Sequence, residues 1–289
     1  LIVTRALESE RRDGFQLFRA IEALCKDDRY KEAAEALIGN HIERAGFDYG
    51  KLRDMWKQAS NLKDEESALQ IMRLEHRIPG LPKALNEEFG IVNFRRYPEA
   101  LLVRQFTNRN RTDIPYGILL YPIDDHNGAF NSDGSGIGEF AGSLDGSFEL
   151  RIVECDGKRE IARQLIRLDK RYAAPEHGHK ISFAVIGGHG NEGVIVFGGK
   201  DDKHLLRKTD FAAPGIGRAA SFFEENPTLI LISCSTGKED GIAQELSSAL
   251  HATVIAPNAN TEVPTMRFDA EHNTFDVEYA SGVDTVTYR

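Results

Sequence analysis

Cysteine is scarce in this chain, and its scarcity narrows the chemistry. Only Cys25, Cys155 and Cys234 occur in 289 residues, far apart, odd in number and with no Cys-x-x-Cys pair. A disulfide scaffold or a zinc site of ordinary spacing is therefore not expected, and a reducing compartment suits the chain. Long apolar runs are also lacking: none approaches the about 20 residues needed to cross a bilayer. The start, Leu1-Ile2-Val3-Thr4-Arg5, has neither the apolar stretch of a signal peptide nor an initiator Met, so the reading expects a trimmed N-terminus. Dense blocks of Lys and Arg are missing and the formal net charge is −9, which argues against a nucleic-acid or anionic-membrane partner. Tryptophan occurs once, at Trp56, and reads as a core anchor.

What is present divides in character near residue 100. Phe15, Phe18, Ile21 and Leu24 recur at helical spacing, as do Leu52, Met55, Trp56 and Ala59, and Ala68, Leu69, Met72 and Leu74 up to a stop at Pro79-Gly80. Residues 1–100 are expected to form an all-α accessory domain. From about Tyr116 strands alternate with helices: strands at Gly117–Ile123, Phe148–Val153, Ile181–Ile186, Thr228–Ile232 and Thr253–Ala256, helices at Arg159–Tyr172, Ile216–Glu225 and Ile242–Leu250. Asn131–Gly146, rich in Gly, Ser and Asp, reads as a flexible surface loop. Thr265–Phe268, Thr274–Tyr279 and Thr285–Tyr288 read as a terminal β element. The expected fold class is α/β, a mostly parallel sheet flanked by helices, over residues 101–289.

Two strand ends carry chemistry. Ile181–Ile186 runs into Gly187-Gly188-His189-Gly190, and Leu229–Ile232 into Ser233-Cys234-Ser235. Neighbouring parallel strands place such ends side by side, which is what a thiol nucleophile and its base require. Taken singly, Cys234 reads as a small residue finishing a buried strand and His189 as a turn histidine; jointly they point to a cleft. Cys25 and Cys155 read as ordinary buried thiols. Rival motifs fail on context. Gly188-His189-Gly190-Asn191-Glu192-Gly193 has the spacing of a dinucleotide fingerprint, but strand-like Val194–Phe197 follows where a helix is needed. Cys234–Asp240 lacks the arginine of a phosphatase loop, Gly237-Lys238 lacks the frame of a P-loop, and no Gly-x-Ser-x-Gly elbow occurs.

The strands Phe183–Gly190 and Leu229–Ser235 together resemble the caspase-like (clan CD) cysteine peptidases. Cys234-Ser235-Thr236-Gly237, Gly241-Ile242-Ala243 and Val254-Ile255-Ala256-Pro257 look most like the bacterial CHAT and toxin-processing members. The resemblance covers roughly Tyr116 to Ala256. It implies a caspase-like fold and a cysteine endopeptidase, with Cys234 as nucleophile, His189 as general base and acid, and the Gly190 and Cys234 amides as oxyanion hole. Relatives act as a His/Cys dyad and need neither metal nor organic cofactor. Ile232, two before the cysteine, and Ser233 would line the P1 pocket, and Asp124 and Asp125 could add acidic groups to it, although a solvated loop is the plainer expectation for them. Partners implied are a protein or peptide substrate, self-cleavage included, and a protein activator acting through the helical domain or a cut in Asn131–Gly146. A bacterial effector working in a reducing cytosol fits. The alternatives are a silent scaffold of the same fold, or a cysteine amidohydrolase for small molecules.

Overall fold

Strands that are apolar along nearly their whole length need cover on both faces, and parallel sheets supply it. The computed structural model describes residues 70–71, 73–75, 77–125, 129–130, 135–173, 178–199, 201–212 and 216–289. The chain divides into two compact units, Leu1–Lys83 and Ala84–Arg289. The helices expected before residue 70, with Cys25 and Trp56, lie outside the described residues, as do His126 and Asn127.

Within the described residues, helices α1 (Leu81–Phe89) and α2 (Glu99–Thr107) precede the first strand. The sheet is built from β1 (Tyr116–Pro122), β2 (Glu149–Cys155), β3 (Ile181–Gly187), β7 (Phe223–Ile232), β8 (Thr253–Pro257) and β11 (Thr285–Tyr288). Its spatial order is β11-β8-β7-β3-β1-β2, with β11 antiparallel to β8 and every other neighbouring pair parallel. The chain order thus reverses between β1 and β3, the kind of point where open α/β sheets place their sites. A small second sheet, β4 (His189–Asn191), β5 (Val194–Val196) and β6 (Leu205–Arg207), rises from the end of β3. A separate hairpin pairs β9 (Thr265–Asp269) with β10 (Thr274–Glu278). The sequence-derived strands therefore exist in the expected order.

One face of the sheet packs Ile118, Leu120, Ala184, Leu229, Leu231 and Val254 against α4 (Lys158–Tyr172) and α6 (Ile242–Leu250). On the other face Phe183 meets Phe140, Phe148 and Phe275 at ring distances of 6.0, 5.4 and 4.8 Å. Phe140 belongs to α3 (Ser135–Ser143), so the expected surface loop at 131–146 is in part a helix. Its small polar residues hid Ile137, Phe140, Ala141 and Leu144, whose helical spacing makes one buried face. The helix expected at Ile216–Glu225 is also shorter: α5 ends at Ala220 and β7 begins at Phe223. Between Ile181/Phe223 and Phe183/Thr228 the pairing register shifts, with Asn226 left-handed at φ 55°. That bulge breaks the strand pattern and makes Glu224–Pro227 read as helix and turn.

At Gly117 the two strands and the Phe183 ring are tightly packed. A Cβ there would run into the ring of Phe183. Gly117→Ala should lower the stability to urea by about 1–3 kcal/mol through overpacking, and Phe183→Leu in the same chain should return part of that loss.

Candidate active site

The register of β3 on β7 builds the site. Ile186 pairs with Leu231 and Gly187 with Ile232. His189 and Cys234 each follow two residues beyond that last pair, so the two loops leave adjacent strands in step. Glycine lets them close on each other. A Cβ on Gly187 would lie 2.6 Å from the Tyr121 ring, and one on Gly188 2.7 Å from Ile195. One on Gly190 would lie 2.8 Å from the Val194 carbonyl, 3.2 Å from Ser233 Cβ and 3.7 Å from the Cys234 carbonyl. The glycines serve close backbone approach, which only a residue without a side chain permits. His189 and Gly190 lie on β4 rather than in an irregular loop.

The β4–β5 connection is the two-residue turn Glu192-Gly193, so its closing pair is Asn191 with Val194. In an antiparallel ladder hydrogen-bonded and non-bonded pairs alternate, which leaves Gly190 opposite Ile195 in a non-bonded pair. The Gly190 N–H therefore points away from β5.

Cys234 sits half-buried at the head of a tight loop. Its Sγ lies 3.6 Å from the Thr261 carbonyl. Ser235 is left-handed at φ 60°, a costly conformation for a residue with a side chain, held here by its neighbours. The Ser235 and Gly237 amides donate to Ala259 and Pro257, each at 2.8 Å, and the Thr236 hydroxyl donates to Ser233 at 2.8 Å. The loop is also tied to the histidine hairpin, because Ile242 N–H donates to Glu192 at 2.7 Å. Ala243 N–H donates to Thr236 at 3.2 Å. These opening amides of α6 are thus satisfied by carbonyls.

Asp125 is placed differently from either sequence expectation. Its side chain is 0% exposed, and its Oδ1 lies 3.1 Å from His189 Nε2. Its Oδ2 accepts from the Phe130 amide at 2.8 Å. The Phe130 ring meets the imidazole edge-on, with centroids 5.6 Å apart. A buried carboxylate on one ring nitrogen orients the imidazole and favours the tautomer with the proton on Nε2. Asp124 beside it is exposed, whereas Ile232 and Ser233 are 3% and 1% exposed. The hydroxyl of Ser233 has no hydrogen-bond partner among the described residues. Cys155 is fully buried, and burial pushes its thiol well up, away from a nucleophile's range.

A buried clamp holds the exit of β1, and so Asp125. Arg96 donates to the carbonyls of Pro122 and Ile123, and Asn93 Nδ2 to Ile123 at 3.1 Å. Glu154 on β2 sits 3.8 Å from Arg96 and accepts from Val92 N–H at 2.7 Å, Asn93 N–H at 3.1 Å and Tyr97 Oη at 2.9 Å. Burial pushes the Glu154 carboxyl up, while Arg96 and the donors pull the other way. Sequence reading missed this clamp because its members lie some 60 residues apart on both sides of an assumed domain boundary. Removing the charge partner alone leaves Glu154 buried and unpaired, so Arg96→Met should cost about 3–5 kcal/mol in chemical denaturation.

Among the described residues no group of three His, Cys, Asp or Glu side chains forms a metal cage, and no helix is long and apolar enough to cross a membrane. No curated protein matches the chain. A family model described as a domain of unknown function, DUF8616, matches residues 162–273, a stretch that contains His189 and Cys234 but not Asp125.

Proposed function

We propose that this chain is a cysteine endopeptidase of caspase-like fold, with Cys234 as nucleophile and His189 as base and acid. The observation that carries the reading is the in-step exit of β3 and β7, with the buried Asp125 carboxylate on the far nitrogen of the imidazole. The 2-1-3-4-5 order of the parallel strands, counted along the chain, agrees with it.

In this mechanism His189 Nδ1 takes the Cys234 thiol proton and the thiolate attacks the scissile carbonyl carbon. The oxyanion so formed meets the Gly190 and Cys234 amides, donors fixed before the reaction begins. The imidazolium then gives its proton to the leaving amine, and the C–N bond breaks to leave a thioester on Cys234. A water, deprotonated by His189, hydrolyses the thioester and restores the thiol. Asp125 steadies the imidazolium, a part not foreseen for it in the P1 pocket. A reducing compartment keeps Cys234 as thiol. The substrates are proteins or peptides, and an activating partner would act through the N-terminal residues for which helices are expected.

A peptide-library digest with the intact chain should show selective cleavage that Cys234→Ala abolishes. A thiol-directed probe should label Cys234 ahead of the fully buried Cys155. Asp125→Asn sets an amide donor against Nε2 and favours the wrong tautomer, so turnover should fall about 100-fold or more with KM little changed. Probe labelling without any peptide cleavage would favour the small-molecule amidohydrolase. Neither labelling nor cleavage would leave the scaffold reading.

A further inference from the structure

Among the described residues, the layer that covers the α4–α6 face of the sheet has a gap at its outer side. A parallel connection usually lays a full helix across the sheet. Between β3 and β7 the chain instead builds the β4–β5–β6 sheet, and its helix α5 has five residues. Beside α4 a hollow of about 350 Å³ opens, with the half-buried Ile161, Leu206, Phe211 and Phe222 in its lining, over sheet residues that are themselves buried. Its lining is almost wholly apolar. At its lip Ile166 is 45% exposed, the one large apolar side chain so exposed among the described residues.

Three charged residues stand at the rim: Lys158, Asp210 and Arg218. Lys158 Nζ already lies 3.1 Å from Asp210 and 3.2 Å from Asp202. The exposed Arg218 has no side-chain ion pair or hydrogen bond among the described residues. Arg218 thus adds a cation to the lining of an apolar hollow.

We propose that this hollow is a binding site for a medium-chain fatty carboxylate, its tail between α4 and the side chains of Phe211 and Phe222 and its head on Arg218. The volume lies in the range of ligand pockets, whose few polar groups fix orientation while apolar walls supply area. A water occupies about 30 Å³ in the liquid and a methylene is of similar size, so the space holds about a dozen such groups. A guanidinium pairs a carboxylate through two parallel hydrogen bonds. The site is separate from the Cys234 cleft and does not depend on the peptidase reading. Its occupant would nonetheless touch Leu206 on β6, part of the sheet whose β4 carries His189.

Calorimetric titration of the delipidated full chain with dodecanoate, below its micelle concentration, tests the site. Saturable one-to-one binding with a negative heat-capacity change is expected. Dodecanol should bind about tenfold or more weakly, and Arg218→Gln should weaken dodecanoate by a similar factor without affecting dodecanol. Ala162→Trp, on the exposed side of α4 at the lining, should block both ligands while the thermal unfolding of the free protein stays as in the parent. Cys234→Ala should bind as the parent does, so the result stands whether or not the protein cuts peptides. Absence of saturable binding, equal affinity for dodecanol and dodecanoate, or an unchanged Arg218→Gln would overturn the proposal.

Discussion

The alignment of β3 with β7 is the constraint on which the rest of this molecule depends. A slip of one residue in either strand would exchange the side chains packed on its two faces, and the two faces meet different partners. Ala184 with Leu229 and Ile186 with Leu231 are held on the α4–α6 face by that rule. The same rule carries Gly187 to Ile232, and so brings the histidine and cysteine loops out at one height. Core packing therefore sets the site geometry before any polar contact forms.

Around that alignment two kinds of support differ in cost. Close backbone approach at Gly187, Gly188 and Gly190 asks only for the absence of side chains. The buried Glu154–Arg96 clamp is more demanding, because two charges leave water and must be compensated by each other and by fixed donors. Such an arrangement adds little net stability over an apolar core. Its effect is directional: it points the end of β1, with Asp125, towards β3.

Strand order and the two candidate reactive residues were legible because they rest on local pattern. An apolar run ending in Gly-Gly-His-Gly, or in Ser-Cys-Ser, states its own position on a strand end. Asp125 was legible only by half. Its place after a strand could be read, but the choice between solvent, pocket and imidazole depends on β1 lying beside β3, a fact of topology. Asn93, Arg96 and Glu154 carry no motif at all, and the segment 257–261 that cradles Ser235 and Gly237 contributes carbonyls that no side chain announces. The helix at Ser135–Ser143 was hidden by composition, since glycine and serine favour loops unless tertiary burial overrides them.

The bond from Ile242 N–H to the Glu192 carbonyl joins the two reactive loops through main chain alone. Whatever residue stands at position 192, the acceptor remains, and at 242 only proline would remove the donor. Substitution at position 192 can thus change the chemistry of the turn tip while the main-chain link between the histidine hairpin and α6 persists.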